Sequence, residues 1–450
     1  MQETWFVQMP IDKMSLSKGI RNSVFTATLF SFFLFLALGN AFRIVESSLF
    51  SNHWLLSEGL LYALSFLSLC FLPVYKKSFL SLLFFNACFI CSFLYGCLLH
   101  GFDLVALLYV IRLMGLLISC YALGEIFMEK FQGEMLPFFS FFARAFGLAL
   151  ILGFVLYLFF PLSKELWLLL QNHHVLFYGD PHEGRFVSVY FDPNYYACIA
   201  GLGILVNAYL HRITGKMRYG FFSSLFFLSG LLTWSRSGFV VLAFLLFFPR
   251  RRTLSWKFAL VAIWLFVIAV YYKDVFVFIQ RLTCVLEEES ALCRLKTFLF
   301  GWSLWQESPL FGLGINFLYK NTLEEMGLLS LDSSLLSLLV QIGAIPFFCL
   351  VFYIARKSSL FFFIQRFWME KELQIPYFYS WFIGHGILVI LFASLFNNVL
   401  FYPFWAIPYF VINNYITKVA LDKAPSNSLL GRISCSNKSC NVLPNLDERT

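Results

Sequence analysis

The sequence predicts an all-α integral membrane protein with about twelve transmembrane helices, and three features of its composition support this. Of the 450 residues, 60% are hydrophobic and 20% are aromatic, including 59 Phe. Only 13% are charged, whereas a soluble domain carries about 25%. A chain of this length with so few charges cannot cover itself with a polar surface. A soluble enzyme, a disulfide-rich secreted module and a disordered chain are therefore excluded.

The predicted spans are apolar runs of roughly 20 residues, the length that a helix needs to cross a bilayer. Residues 1–22 precede them as a cytoplasmic N-terminus, and residues 420–450 follow as a polar, disordered cytoplasmic tail. The chain stays apolar after its first run, which favours an uncleaved anchor over a signal peptide. The membrane domain, residues 23–419, contains candidate spans at 23–42, 54–75, 78–99, 102–127, 138–160, 194–211, 219–235, 237–249, 256–272, 333–355, 378–400 and 403–419.

The distribution of Lys and Arg predicts the orientation. Basic clusters such as those at 212–218 and 250–257 occur in alternate loops, which the positive-inside rule assigns to the cytoplasm. Both termini are then cytoplasmic, and the long loops 161–193 and 273–332 lie on the outer side. The net charge of +8 does not form the single basic stripe of a phosphate-backbone binder, so no nucleic-acid partner is expected.

The outer loop 273–332 has two features. Its stretch 294–305 places four apolar residues at helical spacing, which predicts a helix lying on the membrane surface; these are Leu295, Phe298, Leu299 and Trp302. Cys284 and Cys293 flank an acidic tip in the same loop. An oxidising compartment on the outer side favours a disulfide between them, and two free thiols are the alternative.

Arg236 lies at the turn of the hairpin 219–249. The 31 residues of this hairpin rise about 46 Å in total as helix, whereas two full crossings need about 60 Å. The turn should therefore stop roughly 7 Å below the outer surface on each leg. Arg236 then lies in a depression, where its guanidinium group suits phosphate oxygens. The alternative is that Arg236 snorkels to the outer headgroups.

Arg185 and Asn194 flank the start of the sixth span. Pro193 fixes a turn, and Asn194 is the predicted N-cap of a helix that begins at Tyr195. The partial positive charge of that outward-facing N-terminus favours an anion. The alternative is an ordinary helix start, with Arg185 paired to a neighbouring acid.

Four further residues on the outer side are candidates for binding or catalysis. Arg294 opens the amphipathic stretch, and Gly312 and Gly314 after it permit a tight turn or a close approach of two backbones. Asp332 precedes the tenth span, where a carboxylate can accept a proton from a hydroxyl. An Asp at this place also suits a helix N-cap, and the two roles are compatible.

The remaining polar residues of interest are four histidines and Arg112. Three outer-loop histidines show no standard metal-site spacing, so no metal is predicted; they are His173, His174 and His182. His385 and Arg112 lie within spans and are expected to connect helices.

Taken in order, the motifs are Arg185-Phe186 with Asp192-Pro193-Asn194, then Thr233 to Gly238, then Arg294 with Trp302 and Pro309 to Gly314, and finally Asp332-Ser333 with Gly343. This order resembles the O-antigen ligase and polymerase family of bacterial membrane glycosyltransferases. The resemblance covers roughly residues 180–355 by motif, and the whole chain by span count and orientation.

The resemblance implies a C-type glycosyltransferase bundle in the bacterial inner membrane, with its active site on the periplasmic face. Such proteins take a glycan from undecaprenyl diphosphate, so neither ATP, a metal nor another cofactor is expected. Ligases attach the glycan to the lipid A core, polymerases attach it to a second lipid-linked glycan, and related members glycosylate proteins. The expected diphosphate-binding residues are Arg185, Asn194, Arg236, Arg294, Gly312 and Gly314. The expected catalytic residues are Asp332, Arg236 and Arg294.

One departure favours the polymerase branch slightly. Ligases of this family commonly carry His followed by Asn or Ser where Asp332-Ser333 stands here. The ligase and protein-glycosylating activities remain alternatives, as does a different class, a flippase or transporter of lipid-linked sugars. Transporters tend to show internal repeats and helices interrupted at mid-membrane. The sequence indicates neither.

Overall fold

The computed structural model describes residues 18–41, 56–72, 76–160, 184–247, 289–319, 331, 333–352, 374–397 and 399–422. Within these ranges the chain forms helices and no strand, which confirms the all-α class. The longer helices are α1 (Lys18–Leu38), α2 (Leu56–Leu69), α3 (Lys76–His100), α4 (Leu104–Phe131), α5 (Met135–Phe159), α6 (Pro193–Thr214), α7 (Met217–Leu231), α8 (Arg236–Phe247), α9 (Glu289–Glu307), α10 (Ser334–Ile342), α11 (344–352), α12 (Gln374–Leu388) and α13 (Pro403–Asp422).

Five helices of the described chain are long and apolar enough to cross a membrane: Gly19–Ala41, Phe79–His100, Leu104–Phe131, Met135–Phe159 and Pro193–Thr214. They support the membrane class that the composition predicts. The count of twelve spans stays a prediction, since 256–272 lies outside the described residues. The predicted run 54–75 forms a helix of only 14 residues, Leu56–Leu69.

Two predicted spans are interrupted, and the expectation of continuous helices there was wrong. The run 333–355 breaks at Gly343, whose φ of 75° lies in the left-handed region that favours glycine. Helix α11 restarts at once, and Pro346 falls in its first turn, where a missing N–H costs no helical hydrogen bond. The run 378–400 passes from α12 into a π-helical turn, Val389–Ala393, and becomes extended at Asn397.

The core of the described bundle is built largely from aromatic rings. Phe138 of α5 stacks on Tyr415 of α13 with ring centroids 3.7 Å apart. Phe35 of α1 stacks on Phe404 of α13 at 4.1 Å. All four side chains are buried. Stacked and edge-to-face rings fill the space between these helices, which accounts for part of the large number of Phe in the sequence.

Buried charges within the bundle are paired between helices. Arg112 of α4 donates from Nε to Glu58 Oε1 of α2 at 2.6 Å and from Nη2 to Oε2 at 3.2 Å. The Tyr62 hydroxyl donates to the same Glu58 Oε1 at 2.6 Å. This two-point contact confirms the expectation that Arg112 connects helices. Lys418 of α13 similarly pairs with Glu125 of α4.

His385 of α12 packs directly against α6. Its ring is fully buried, and a Cβ atom added at Gly201 would lie 2.4 Å from its Cε1 atom. The absence of a side chain at Gly201 therefore lets the two helices approach around the imidazole. This contact agrees with the structural role expected for His385.

Candidate functional site

The segment 184–192 is a non-helical stretch packed inside the bundle. Residues 186–191 are all buried, although this stretch contains no more than a single 3-10 turn, Ser188–Tyr190. Ser188 and Phe191 have φ values of 53° and 58°, which non-glycine residues rarely adopt. Backbone of this kind persists when surrounding contacts hold it in place, and it is frequent at functional sites.

Side chains from distant helices bind the polar groups of this segment. Asn40 Nδ2 donates to the Tyr190 carbonyl at 2.7 Å, and the Tyr402 hydroxyl donates to the same oxygen at 3.2 Å. Ser188 Oγ donates to the carbonyl of Ala149 in α5 at 3.1 Å. Buried backbone groups need such partners, because at membrane depth there is no water to replace them.

The same segment contacts the turn between α7 and α8 directly. The Phe186 N–H donates to the Leu232 carbonyl at 2.9 Å. The Arg185 Nε donates to the Thr233 carbonyl at 2.8 Å. Two motifs that are distant in sequence, Arg185-Phe186 and Thr233 to Gly238, are thus joined at one place. We call the region formed by residues 184–195 and 232–238 the arginine site.

The turn 232–235 is held by its own side chains. Thr233 Oγ1 donates to the Gly230 carbonyl at 2.7 Å and accepts from the Ser235 N–H at 3.2 Å. Trp234, between them, has a left-handed φ of 49°. These contacts fix the path of the chain into α8.

Arg236 is the first residue of α8 and is half-buried. Ser235 caps the helix, because its Oγ accepts from the Gly238 N–H at 3.2 Å. A Cβ atom added at Gly238 would lie 2.3 Å from the Cβ atom of Ala197, so α8 approaches α6 very closely here. The first turn of α8 contains no acid, and the partial positive charge of this helix end adds to the charge of Arg236.

The structure corrects the predicted cap of α6. The N-cap is Asp192, not Asn194, and its Oδ1 accepts from the N–H groups of Asn194 at 2.7 Å and Tyr195 at 3.0 Å. One carboxylate oxygen thus accepts from two N–H groups at the start of the helix, and Pro193, which has no N–H, suits the first helical position. The predicted attraction of this N-terminus for an external anion is correspondingly reduced, since a protein carboxylate already lies there.

Asn194 instead orients its amide toward the α7–α8 turn. Its Oδ1 accepts from Ser235 Oγ at 2.7 Å, which links the start of α6 to the cap of α8. With the oxygen held in this way, the two N–H donors of the amide lie on the opposite side of the group. Asn194 is thus held against the α7–α8 turn by a contact that the sequence did not indicate, and its predicted role in binding stays a prediction.

The helix that leads to the Arg236 turn is short. Helix α7 has 15 residues, or about 22 Å at 1.5 Å per residue, which is less than the roughly 30 Å hydrocarbon core of a bilayer. Helix α8 is described as far as Phe247, and the residues that follow lie outside the described part of the chain. The depression around Arg236 therefore stays a prediction.

Gly312 and Gly314 belong to a loop whose backbone hydrogen-bonds to the chain on both sides of the helix break at Gly343. This loop, residues 309–314, is called the clasp. The Leu313 and Gly314 N–H groups donate to the carbonyls of Val340 and Gln341 at 2.8 Å and 3.1 Å, and the Ala344 and Ile345 N–H groups donate to the carbonyls of Pro309 and Leu310 at 2.9 Å and 3.3 Å. The clasp therefore supplies partners on both sides of the break.

The backbones cross so closely that a Cβ atom at Gly312 would lie 2.5 Å from the Gly343 nitrogen. The Gly312 N–H donates to the Ser308 carbonyl at 3.0 Å, so none of the three N–H groups of residues 312–314 is free to hold a phosphate in this conformation. The close backbone approach predicted for these glycines is present. A direct role for them in diphosphate binding stays a prediction.

One face of α3 contacts the clasp, and sequence reasoning missed it. Ser92 Oγ donates to the Gln341 carbonyl at 2.8 Å, Gly96 packs on Gly314, and His100 Nε2 lies 3.0 Å from the Leu313 carbonyl oxygen. These three residues of α3 are spaced four apart, which places them on one side of a helix. That spacing of a Ser, a Gly and a His in an apolar run is the signal that would have found them.

Arg294 and Ser333, the neighbour of Asp332, lie on α9 and at the start of α10, two helices that pack against each other. Arg294 is half-buried on α9, which packs against α10 where a Cβ atom at Gly301 would meet Leu336 at 2.6 Å. At the start of α10, Ser333 Oγ donates to the Ser394 carbonyl at 3.3 Å. Residues 389–393, which directly precede Ser394, pack against α8, the helix that begins with Arg236. The convergence of Arg294 on the other arginines stays a prediction.

Asp332 lies outside the described residues, but its neighbour Ser333 shows which residue caps α10. Ser333 is the N-cap of α10, because its Oγ accepts from the Leu336 N–H at 3.2 Å. The capping role considered for Asp332 therefore belongs to Ser333. The side chains of Cys284 and Cys293 and the outer-loop histidines also lie outside the described residues. Among the described residues, no group of three or more His, Cys, Asp or Glu side chains could hold a metal ion.

The chain matches no protein-family model, and no curated protein matches it significantly.

The arginine site predicts a specific effect of Ser235 on stability. Ser235→Ala removes both the α8 cap and the hydrogen bond to Asn194, and should destabilise the protein by about 1–2 kcal/mol. Thermal unfolding of the purified protein in detergent, followed by tryptophan fluorescence, should show a lower midpoint. Ser237→Ala removes only the contact of its hydroxyl with Ser235 Oγ at 3.1 Å, keeps the cap and the bond to Asn194, and should lower the midpoint less. Equal midpoints for the two variants would contradict the linked arrangement.

Proposed function

We propose that the protein is an O-antigen polymerase- or ligase-type glycosyltransferase of the bacterial inner membrane, with the polymerase activity slightly favoured. It transfers a glycan from undecaprenyl diphosphate to a hydroxyl group at the periplasmic face. The observation that carries this proposal is the contact between the Arg185 and Thr233 segments, which brings two arginine-bearing motifs to one end of the bundle. Both motifs belong to the family resemblance.

In the proposed reaction, the acceptor oxygen attacks the anomeric carbon of the donor sugar, and the bond from that carbon to the phosphate oxygen breaks. The diphosphate lipid leaves with the bonding electron pair, so negative charge grows on its oxygens. Arg236, Arg185 and the N-terminus of α8 are proposed to stabilise that charge. Guanidinium groups suit this task because their paired N–H donors match two phosphate oxygens at once.

The acceptor hydroxyl must lose its proton as the new bond forms. Asp332 is proposed to take this proton, or to orient the hydroxyl by accepting its hydrogen bond. Ser333 caps α10, so the cap does not require the Asp332 carboxylate. The acceptor is a second lipid-linked glycan in the polymerase reaction and the lipid A core in the ligase reaction. Arg294 is proposed to bind the donor with the other two arginines.

A flippase or transporter of lipid-linked sugars is the second candidate, and the break at Gly343 favours it. Discontinuous helices are common at transporter binding sites, and the sequence argument that none is present here does not hold. The same arginines would then bind the diphosphate of a cargo. We favour the glycosyltransferase because the clasp supplies partners for the backbone groups beside the break, whereas transporters use such groups to bind ions or substrates.

A deletion strain separates these activities by the glycans that it accumulates. Loss of a polymerase leaves lipid A capped with a single repeat unit. Loss of a ligase leaves long polymer on the lipid carrier and none on lipid A. Loss of a flippase leaves single lipid-linked units on the cytoplasmic side, and this last result would contradict the proposed class.

In that strain, Arg236→Ala and Arg236→Lys should both fail to restore normal glycan. Loss of a charge-assisted contact to the developing anion costs about 3 kcal/mol, or roughly a hundredfold in rate, and an ammonium group lacks the paired donors. Arg218→Lys, at the other end of the same hairpin, is the control and should restore the glycan fully. Normal chain length with Arg236→Ala, at equal protein level, would remove Arg236 from the mechanism.

Variants at Asp332 should separate a base from an orienting group. If Asp332 takes the proton, Asp332→Asn is inactive, because an amide accepts a hydrogen bond but not a proton at neutral pH. If Asp332 only orients the acceptor, Asp332→Asn is active and Asp332→Ala is not. Ser333→Ala tests the cap separately and should affect stability more than turnover. Activity of both Asp332 variants would exclude a catalytic role and turn attention to His173, His174 and His182.

A further inference from the structure

Helix α9 has one face packed on the protein. Three of its residues are buried at positions that share a side of the helix, namely Thr297, Gly301 and Leu304. Gly301 permits the approach of α10, since a Cβ atom there would lie 2.6 Å from Leu336. This confirms the helix predicted for 294–305, and the helix extends over Glu289–Glu307.

The opposite face of α9 is apolar and exposed. Its exposed large residues are Leu292, Leu295, Phe298, Leu299 and Trp302, with exposed fractions from 38% to 58%. A helix that is apolar on two opposite sides is expected where both sides are covered. The protein covers one side, so a second apolar environment is expected on the other.

Two observations favour lipid over protein or water as this environment. The clasp, which follows α9 in the chain, and α11, which hydrogen-bonds to the clasp, also expose large apolar residues, namely Leu310, Phe311, Ile345, Phe348 and Phe352. Helix α11 belongs to a predicted membrane span, so acyl chains are the environment expected beside these elements. In addition, the exposed Lys296 lies about 100° around the helix from Leu295, at the edge of the apolar face. A cation at that edge suits the phosphate groups at the bilayer surface.

The charges and aromatic rings of α9 also determine how deep it can lie. Its 19 residues include Glu289, Arg294, Lys296 and Glu307, and it is not among the helices apolar enough to cross a membrane. Trp302 and Trp305 lie with ring centroids 4.7 Å apart, and Trp residues are enriched at the membrane–water interface. These features favour a helix that lies along the interface over one that spans the bilayer or stands in water.

We propose that α9 is an interfacial helix whose Leu295–Leu299–Trp302 face is embedded among the acyl chains of phospholipids in the outer leaflet. Burial of such a face reaches about 5–10 Å into the boundary between headgroups and acyl chains. Because the Trp305 indole N–H donates to the Pro309 carbonyl at 3.0 Å, the embedded helix also holds the clasp. The proposal does not depend on the reaction catalysed.

Photo-crosslinking in native membranes tests the surface directly. The photoreactive residue p-benzoylphenylalanine is introduced at Leu295 in the full-length protein, and in a second variant at Glu307, which is also exposed but lies about 120° away around the helix. After irradiation, mass spectrometry should find about tenfold more phospholipid adduct at position 295 than at 307, since only position 295 lies among acyl chains.

Three other outcomes would overturn the proposal. A covalent dimer at position 295 would show that a second copy covers the face, and an adduct with another protein would show a protein partner. Absence of any adduct at both positions would show that the face lies in water. Incorporation at exposed positions and recovery of both variants from the membrane fraction exclude misfolding as the cause.

Discussion

A backbone N–H or C=O group that leaves a helix at membrane depth has no water to bind, so it needs a partner within the protein. This chain contains several such breaks, and each is completed by another part of the chain. The buried segment 184–192 donates to the turn 232–235. The clasp completes both sides of the break at Gly343. Ser333 and Ser334, at the start of α10, donate to the carbonyl groups of 394–397. The breaks are therefore held next to one another by the requirement for hydrogen bonds.

This constraint also brings together side chains that the sequence separates. Arg185 and Asn194 flank one break and Arg236 follows another, and their backbone and side-chain contacts fix the two segments against each other. The only described carboxylate in this set, that of Asp192, is engaged as the cap of α6. The arginine site therefore holds Arg185 and Arg236 close to the N-terminus of α8. The proposed lipid diphosphate substrate depends on this arrangement.

The sequence predicted those features that depend on local composition and spacing. Apolar runs predicted the helices, and helical spacing predicted α9. The sequence could not predict which residue caps a helix when two candidates lie close together, as at Asp192 and Asn194 or at Asp332 and Ser333, because both choices satisfy the same preference. It also missed the breaks at Gly343 and after Leu388. A glycine or an asparagine in an apolar run ends a helix only where a distant segment, here the clasp or α10, supplies the missing hydrogen bonds.

The central claim is that the contact between 184–195 and 232–238 forms an anion site for a lipid diphosphate. The most direct measurement is a cryo-electron microscopy structure of the protein in lipid nanodiscs with undecaprenyl diphosphate bound. The account predicts diphosphate density about 3 Å from the guanidinium groups of Arg185 and Arg236, with the polyprenyl chain leading into the bilayer. Diphosphate density at another place in the bundle, with the Arg185 and Arg236 guanidinium groups turned away from it, would contradict the account.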